Sequence, residues 1–305
     1  MHLSPIRADL LLLLTATIWG LAFIAQREAM LKDIDPLMFN AVRFALGTFT
    51  VLPLLAVMKR SGPRNREQRR RLFGGGILLG GVVALGMALQ QIGLIHTEAG
   101  PAGFITGLYI VFTPLVGLAI GIKTTRATWV GIVFAMVGLW FLFIKQGNDG
   151  TLHLQSSDVL ILLSAIMWAI QVQIIGKLAP NTDPIELALN QFAWAAAFSF
   201  IGVIIFSGIP SVAGMQEIFT TAPLEVLYAG VLAIGVAFFL QIVAQRKSPP
   251  SHVAIILGLE APIAAIGGFL ILSERYGGRE ILGCGLMLAG VLISQAPRLF
   301  SKRGG

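Results

Sequence analysis

The chain has 305 residues, 56% of them hydrophobic and only 12% charged, with a mean hydropathy of +0.82. A soluble domain carries about 25% charged residues, so this chain cannot cover its surface in water and reads as a set of membrane spans. Its formal charge of +7 does not point to nucleic acid, because the basic residues sit in short gaps between apolar runs and no aromatic–basic patch accompanies them.

A helical span needs about 20 mostly apolar residues. Ten stretches qualify, and their continuous hydrophobicity, without period-2 alternation, excludes strands. The first, 8–26, has the look of a signal-peptide core. It runs past any cleavage site, so it is expected to remain as a span. It carries Trp19. The second, 36–58, follows Asp35-Pro36 and holds Arg43 in its outer third. A basic cluster over 59–71 then reads as a topology anchor. The third, 72–94, opens on GGGILLGG, which lacks the Gly-Lys-Ser/Thr of a phosphate loop, and ends near Gln90 and Gln91. The fourth, 99–121, contains Tyr109 and Pro114. The fifth, 127–145, has Trp129 and Trp140 near opposite ends, as interface anchors do. The sixth, 157–176, carries Trp168, Gln171 and Gln173. The seventh, 186–208, follows Asp183-Pro184 and holds Asn190, Gln191 and Trp194. The eighth, 223–244, ends around Gln241 and Gln245. The ninth, 252–272, places Glu260 beside Pro262. The tenth, 279–297, contains Gly283 and Gly290.

Lys and Arg set the orientation. With the N-terminus in the cytoplasm, 16 of them fall inside and 5 outside, and Arg43 lies within a span, which accounts for all 22. The positive-inside rule then puts both termini in the cytoplasm of a multi-pass protein of the cell membrane.

The two halves of the chain repeat at an offset of 148 to 152. Trp19 matches Trp168, Asp35-Pro36 matches Asp183-Pro184, and Arg43-Phe44 aligns with Gln191-Phe192. Pro114 matches Pro262, and Gly131 and Gly138 match Gly283 and Gly290. Several matches in order indicate duplication. Five spans per half make the repeat inverted. The fold class expected is an all-α integral membrane protein, ten transmembrane helices as an inverted 5+5 repeat. Secondary transporters share this plan and bind solute where the halves meet.

The residues also resemble a known family. TATIWGLAFIAQREAM leading into DPLMFNAVRFAL is similar to the opening Trp-Gly and later Pro…Arg pattern of the EamA-type transporters of the drug/metabolite transporter superfamily. LQIVAQRKSPPSHVAIILGLEAPIAAIGGFLILSER resembles the family's Ala-Gln-Arg, Ser-Pro, Leu-Glu-x-Pro and Ser/Gly-Glu-Arg series. The resemblance covers both halves, as EamA-like repeats over 8–146 and 155–297. It implies ten helices, a central cavity, and movement of amino acids or related metabolites. The sequence departs from the family at Lys123, where an acid often stands near the end of the fourth span; Glu274 keeps that acid in the second half.

Ionisable groups at bilayer depth tend to face a cavity or a partner. Glu260 is able to exchange protons during transport, or to sit neutral and bonded to a neighbouring helix. Arg43 suits a solute carboxylate, but also snorkelling or an acidic partner. Gln90, Gln91, Gln171, Asn190, Gln241 and Gln245 offer neutral donors and acceptors, either to a polar solute or to other helices. Trp19, Tyr109, Trp168 and Trp194 suit an aromatic cavity wall or plain core packing. Pro262 removes a helical hydrogen bond one turn back and can bend its helix. Gly76 and Gly80, Gly103 and Gly107, and Gly117 and Gly121 form small-xxx-small pairs that permit close crossings.

Other function classes fit less well. Cys284 is the only cysteine, and His2, His96, His153 and His252 lie far apart, so no metal-ligand pattern appears. No metal or cofactor is expected. An intramembrane enzyme would need a nucleophile–base or metal motif, and none is found. A receptor or scaffold would predict a soluble extension, and the loops are short. A secondary transporter of small amphipathic metabolites, acting by alternating access with export as the expected direction, fits best. Its partners are the lipid bilayer and a small-molecule solute, with proton coupling through Glu260 a candidate. The chain is read as a monomer or homodimer.

Overall fold

The computed structural model describes residues 4–57, 66–97, 99–143, 155–271 and 277–300. Every regular element among them is helical. α1 is Pro5–Leu31, α2 Pro36–Val51, α3 Leu54–Val57 and α4 Arg66–Gly93. α5 (Ala99–Gly107) and α6 (Tyr109–Ala119) follow, then α7 (Arg126–Phe143), α8 (Ser156–Leu178) and α9 (Pro184–Phe206). α10 (Val212–Thr221) and α11 (Pro223–Leu227) lead into a π-helical stretch, Tyr228–Phe238. α12 (Phe239–Gln245), α13 (Pro250–Leu257), α14 (Glu260–Ile271) and α15 (Gly278–Phe300) complete the described chain.

Among the described residues, seven helices are long and apolar enough to cross a membrane: Pro5–Leu31, Pro36–Val57, Arg66–Gly93, Ala102–Ala119, Ser156–Asn181, Pro184–Phe206 and Pro223–Gln245. At the places of the other three expected spans lie shorter apolar helices, Arg126–Phe141, Pro250–Ala264 and Ile281–Ser294. α10 lies in what the sequence reads as a connector. Ser211 starts it by accepting a hydrogen bond from the Gly214 N–H at 3.0 Å, the usual N-cap arrangement.

The two Asp-Pro pairs do the same work. Asp35 caps α2 by accepting from the Met38 N–H at 2.7 Å. Asp183 caps α9 by accepting from Ile185 and Glu186 at 3.0 and 3.3 Å. Each proline takes the first helical position, where its missing N–H costs nothing. Pro53 separates α3 from α2, because it cannot continue the hydrogen-bond ladder.

Two helices with an internal proline, α6 with Pro114 and α14 with Pro262, are each preceded by a break. The chain turns at Leu108 between α5 and α6, and at Gly258-Leu259 between α13 and α14. Pro262 removes the hydrogen bond that would reach back to Gly258, so the second break falls where the proline places it.

The glycine pairs divide. Gly76 and Gly80 of α4 lie against Asn190 and Trp194 of α9, where an added Cβ would meet those residues at 2.6 and 2.5 Å. Gly121 instead ends its helix with φ of +81° and open space around it, so it serves as a turn rather than a crossing. A reciprocal backbone-to-backbone crossing joins α7 to α15. A Cβ on Gly131 would stand 2.5 Å from the Gly290 carbonyl, and a Cβ on Gly290 would stand 2.5 Å from the Gly131 carbonyl. Gly138 meets the Gly283 carbonyl in the same way at 2.6 Å.

Candidate functional site

The two helix breaks open onto one cavity. Tyr109 begins α6 just after the first break, and Glu260 begins α14 just after the second. Both line the cavity and both are 3% exposed. α1, α2, α4, α8 and the π-helical stretch with α12 supply the other walls.

Eight of the twelve candidates named from the sequence meet here: Trp19, Arg43, Gln90, Tyr109, Trp168, Gln171, Gln241 and Glu260. The other four lie at helix contacts away from the lining. Gln91 donates to the Gln26 carbonyl at 3.2 Å. Asn190 donates to the Glu186 carbonyl of its own helix at 2.8 Å. Gln245 donates to the Val172 carbonyl at 2.9 Å. Trp194 packs edge-on against Phe73 and tilted against Phe198. Gln173 faces away as well, donating to the Thr113 carbonyl at 2.6 Å. Lys123 is exposed, and Glu274 lies outside the described residues.

The lining also includes residues not singled out from the sequence, among them Gln26, Met87, Thr106 and Phe238. Gln26 follows Trp19 by seven, on the same helix face, and that spacing was the available signal. Phe238 sits between the two matched tryptophans. Its ring centroid is 4.7 Å from that of Trp19 and 6.1 Å from that of Trp168, within the range of favourable aromatic pairs.

The polar groups of the lining fall into two sets. The first set is satisfied within the protein. Trp168 Nε1 donates to Gln90 Oε1 at 2.9 Å, and Gln90 Nε2 donates to Gln26 Oε1 at 3.3 Å. Gln26 Nε2 then donates to the Ala22 carbonyl at 3.1 Å. Gln171 and Gln241 bond to each other in both directions, at 2.9 and 3.2 Å. Trp19 Nε1 donates to the Ala233 carbonyl of the π-helical stretch at 3.0 Å. These residues present aromatic faces and engaged amides to the cavity.

The second set is not satisfied. Arg43 Nε, Thr106 Oγ1 and Glu260 Oε1 are buried without a hydrogen bond of ordinary geometry among the described residues, and the Tyr109 hydroxyl and the Glu260 carboxyl lie close enough to interact with each other. Arg43 is 1% exposed. Its Nη2 contacts Met87 Sδ at 2.7 Å, and its guanidinium lies 5.2 Å from the Phe39 ring centroid and 5.9 Å from that of Phe44. It forms no ion pair among the described residues. A thioether is a weak acceptor and cannot balance a buried cation. The cavity thus holds one cation and one carboxyl group on different helices, each with capacity for a ligand. No group of three or more His, Cys, Asp or Glu among the described residues is placed to hold a metal.

The chain is 30% identical over 291 residues to an uncharacterized transporter of Archaeoglobus fulgidus, covering 94% of this chain and 85% of that one. It is 25% identical over 293 residues to the threonine/homoserine exporter RhtA of Escherichia coli, covering 93% and 90%. A protein of known crystal structure superposes with a TM-score of 0.73 at 16% identity, over 99% of this chain and all of the other. The model of the EamA-like transporter family matches residues 6–144 and again residues 155–295, and with this geometry the chain belongs to that family.

Proposed function

We propose that the protein is a secondary transporter that exports amino acids, or related small amphipathic zwitterions, by alternating access. One observation carries this reading: Arg43 and Glu260 face the same cavity, and each keeps an unpartnered atom there. A solute carboxylate would pair with the guanidinium. The solute ammonium would pair with Glu260, beside Tyr109 and Thr106. The aromatic walls of Trp19, Trp168 and Phe238 would cover its apolar part. The relative that is named as a threonine/homoserine exporter supports the same solute class.

This arrangement supplies a coupling mechanism. Glu260 either carries a proton or pairs with the solute ammonium, and one occupant excludes the other. Proton entry on one side would release solute, and solute entry on the other would release the proton. The result is antiport with no separate energy-consuming domain.

The architecture proposed is ten crossings in two inverted halves of five, with both termini cytoplasmic. The matched Asp-Pro caps, the paired helix breaks and the reciprocal glycine contacts of α7 with α15 support it. So does the excess of Lys and Arg on one side.

Counterflow in proteoliposomes tests the solute class. An amino acid such as leucine should exchange, whereas its analogue lacking the amino group and its analogue lacking the carboxyl group should not. Equal exchange of all three would overturn the zwitterion reading. No exchange of any amino acid in a broad panel would overturn the amino-acid class.

A further inference from the structure

A second polar cluster lies away from the cavity, at the end of the bundle that carries the start of α1. Asp9 of α1, His252 of α13 and Ser294 of α15 meet there. His252 Nε2 is 3.0 Å from Asp9 Oδ1, and His252 Nδ1 is 3.5 Å from Ser294 Oγ. Ser294 Oγ donates its own proton to the Val291 carbonyl at 2.8 Å. The serine oxygen therefore offers the ring only lone pairs. Asp9 offers the other nitrogen only lone pairs as well. With the serine proton on the Val291 carbonyl, both ring nitrogens face acceptors, an arrangement that an imidazolium, with two N–H groups, can satisfy.

The same geometry excludes a hydrolytic triad. A nucleophilic serine must direct its proton to the imidazole. Here that proton points to a backbone carbonyl, and Ser294 is 5% exposed.

We propose that Asp9, His252 and Ser294 form a proton-binding site that, when occupied, ties α1, α13 and α15 together and locks the floor of the cavity. His252 is 2% exposed, whereas the Asp9 side chain is 21% exposed, so protons reach the ring past Asp9. The consequence for the cavity follows from the chain. α13 runs from the cluster to Leu257, which lines the cavity, and the break after it leads to Glu260. Ser251 adds a second tie, with its Oγ 3.1 Å from Thr124 Oγ1 in the connector before α7. Holding the start of α13 thus holds the half-helix beneath Glu260.

Among the described side chains, Asp9 is the charged group in contact with the ring. α13 packs against α1, α6, α7, α8 and α15. Among the described side chains on these helices, Arg7, Arg126 and Lys177 are exposed. Arg27, Glu28, Asp158 and Arg279 belong to the opposite ends of their helices, and α6 carries no charge beyond the titratable Tyr109 at its far end. Histidine is the side chain that ordinarily changes charge between about pH 5 and 8, and that range sets the two pH values of the test.

Amide hydrogen exchange on the full-length protein, without solute, tests this. Residues 5–12 and 250–257 should open on the order of tenfold more readily at about pH 8 than at about pH 5.5, after correction for the chemical exchange rate. His252→Gln and Asp9→Asn should abolish that pH dependence, and Ser294→Ala should reduce it. If His252→Gln does not fold, the Asp9 and Ser294 variants make the same test. Exchange that is independent of pH in the wild type, or pH dependence retained in Asp9→Asn, would overturn the proposal. Solute takes no part in the measurement, so its outcome is separate from that of the transport assay.

Discussion

The indole N–H of Trp168 donates to Gln90 Oε1 at 2.9 Å, across the contact between α8 and α4. This bond fixes the orientation of the Gln90 amide, which then has its N–H groups free to donate to Gln26. The ring that lines the cavity is held by an amide chain ending on the α1 backbone. Gln90→Ala leaves the indole N–H buried without a partner. The expected outcome is a stability loss of about 1–3 kcal/mol together with weaker solute binding, read by thermal unfolding and by titration of the same sample. Unchanged melting and unchanged affinity would show that the chain positions nothing.

The reciprocal pair Gln171–Gln241 makes a second prediction. Either single change to leucine strands the remaining amide at a buried contact, and the double change removes both amides. A double-mutant cycle should show a coupling of about 0.6 kcal/mol or more, with the double variant more stable than the sum of the singles implies. Strict additivity would contradict the pairing.

The glycines predict opposite signs on the same scaffold. Gly131→Ala puts a Cβ 2.5 Å from the Gly290 carbonyl, so α7 and α15 must separate, at a cost of about 1–3 kcal/mol. Gly74→Ala meets nothing within 4 Å and should be neutral or stabilise α4 by up to about 1 kcal/mol. Apparent melting temperatures of the two variants decide this. Similar shifts in both would remove the close-crossing explanation.

The aromatic wall and the uncoupled cation are separable. Trp168→Ala and Tyr109→Ala should weaken binding of amino acids with large apolar side chains more than that of small ones. Arg43→Gln should weaken all of them by roughly tenfold or more, since it removes a charge-assisted pair. Solute titrations across side-chain size check both. A size-independent loss in the tryptophan variant would take Trp168 out of the wall.

Part of the cavity lining is legible in the sequence. Arg43, Glu260, Trp19 and Trp168 stand out because polar or large aromatic groups interrupt apolar runs, and the cost of burying them demands a partner or a cavity. The break at Gly258 follows from Pro262 four residues on. The sequence does not show that Gln91, Asn190, Trp194 and Gln245 lie at helix contacts. A hydropathy run gives the depth of a residue but not which neighbouring helix its face meets, and here those faces meet α1, α4 and α8 rather than the cavity. The break at Leu108 lies six residues before Pro114, beyond the one turn a proline disrupts. The π-helical stretch YAGVLAIGVAF is uniformly small and apolar, so its sequence gives no sign that its helical register is wider. The Asp9–His252–Ser294 cluster was hidden for the opposite reason. Its residues are 243 and 42 positions apart, and only tertiary packing brings them together.

Gradient-driven accumulation in proteoliposomes tests the coupling role of Glu260 most directly. The wild type should concentrate an amino acid against its gradient when a pH difference is imposed, and only equilibrate it without one. Glu260→Gln should still fold, should bind the solute more weakly, and should no longer respond to the pH difference. Full pH-driven accumulation by Glu260→Gln would contradict the account.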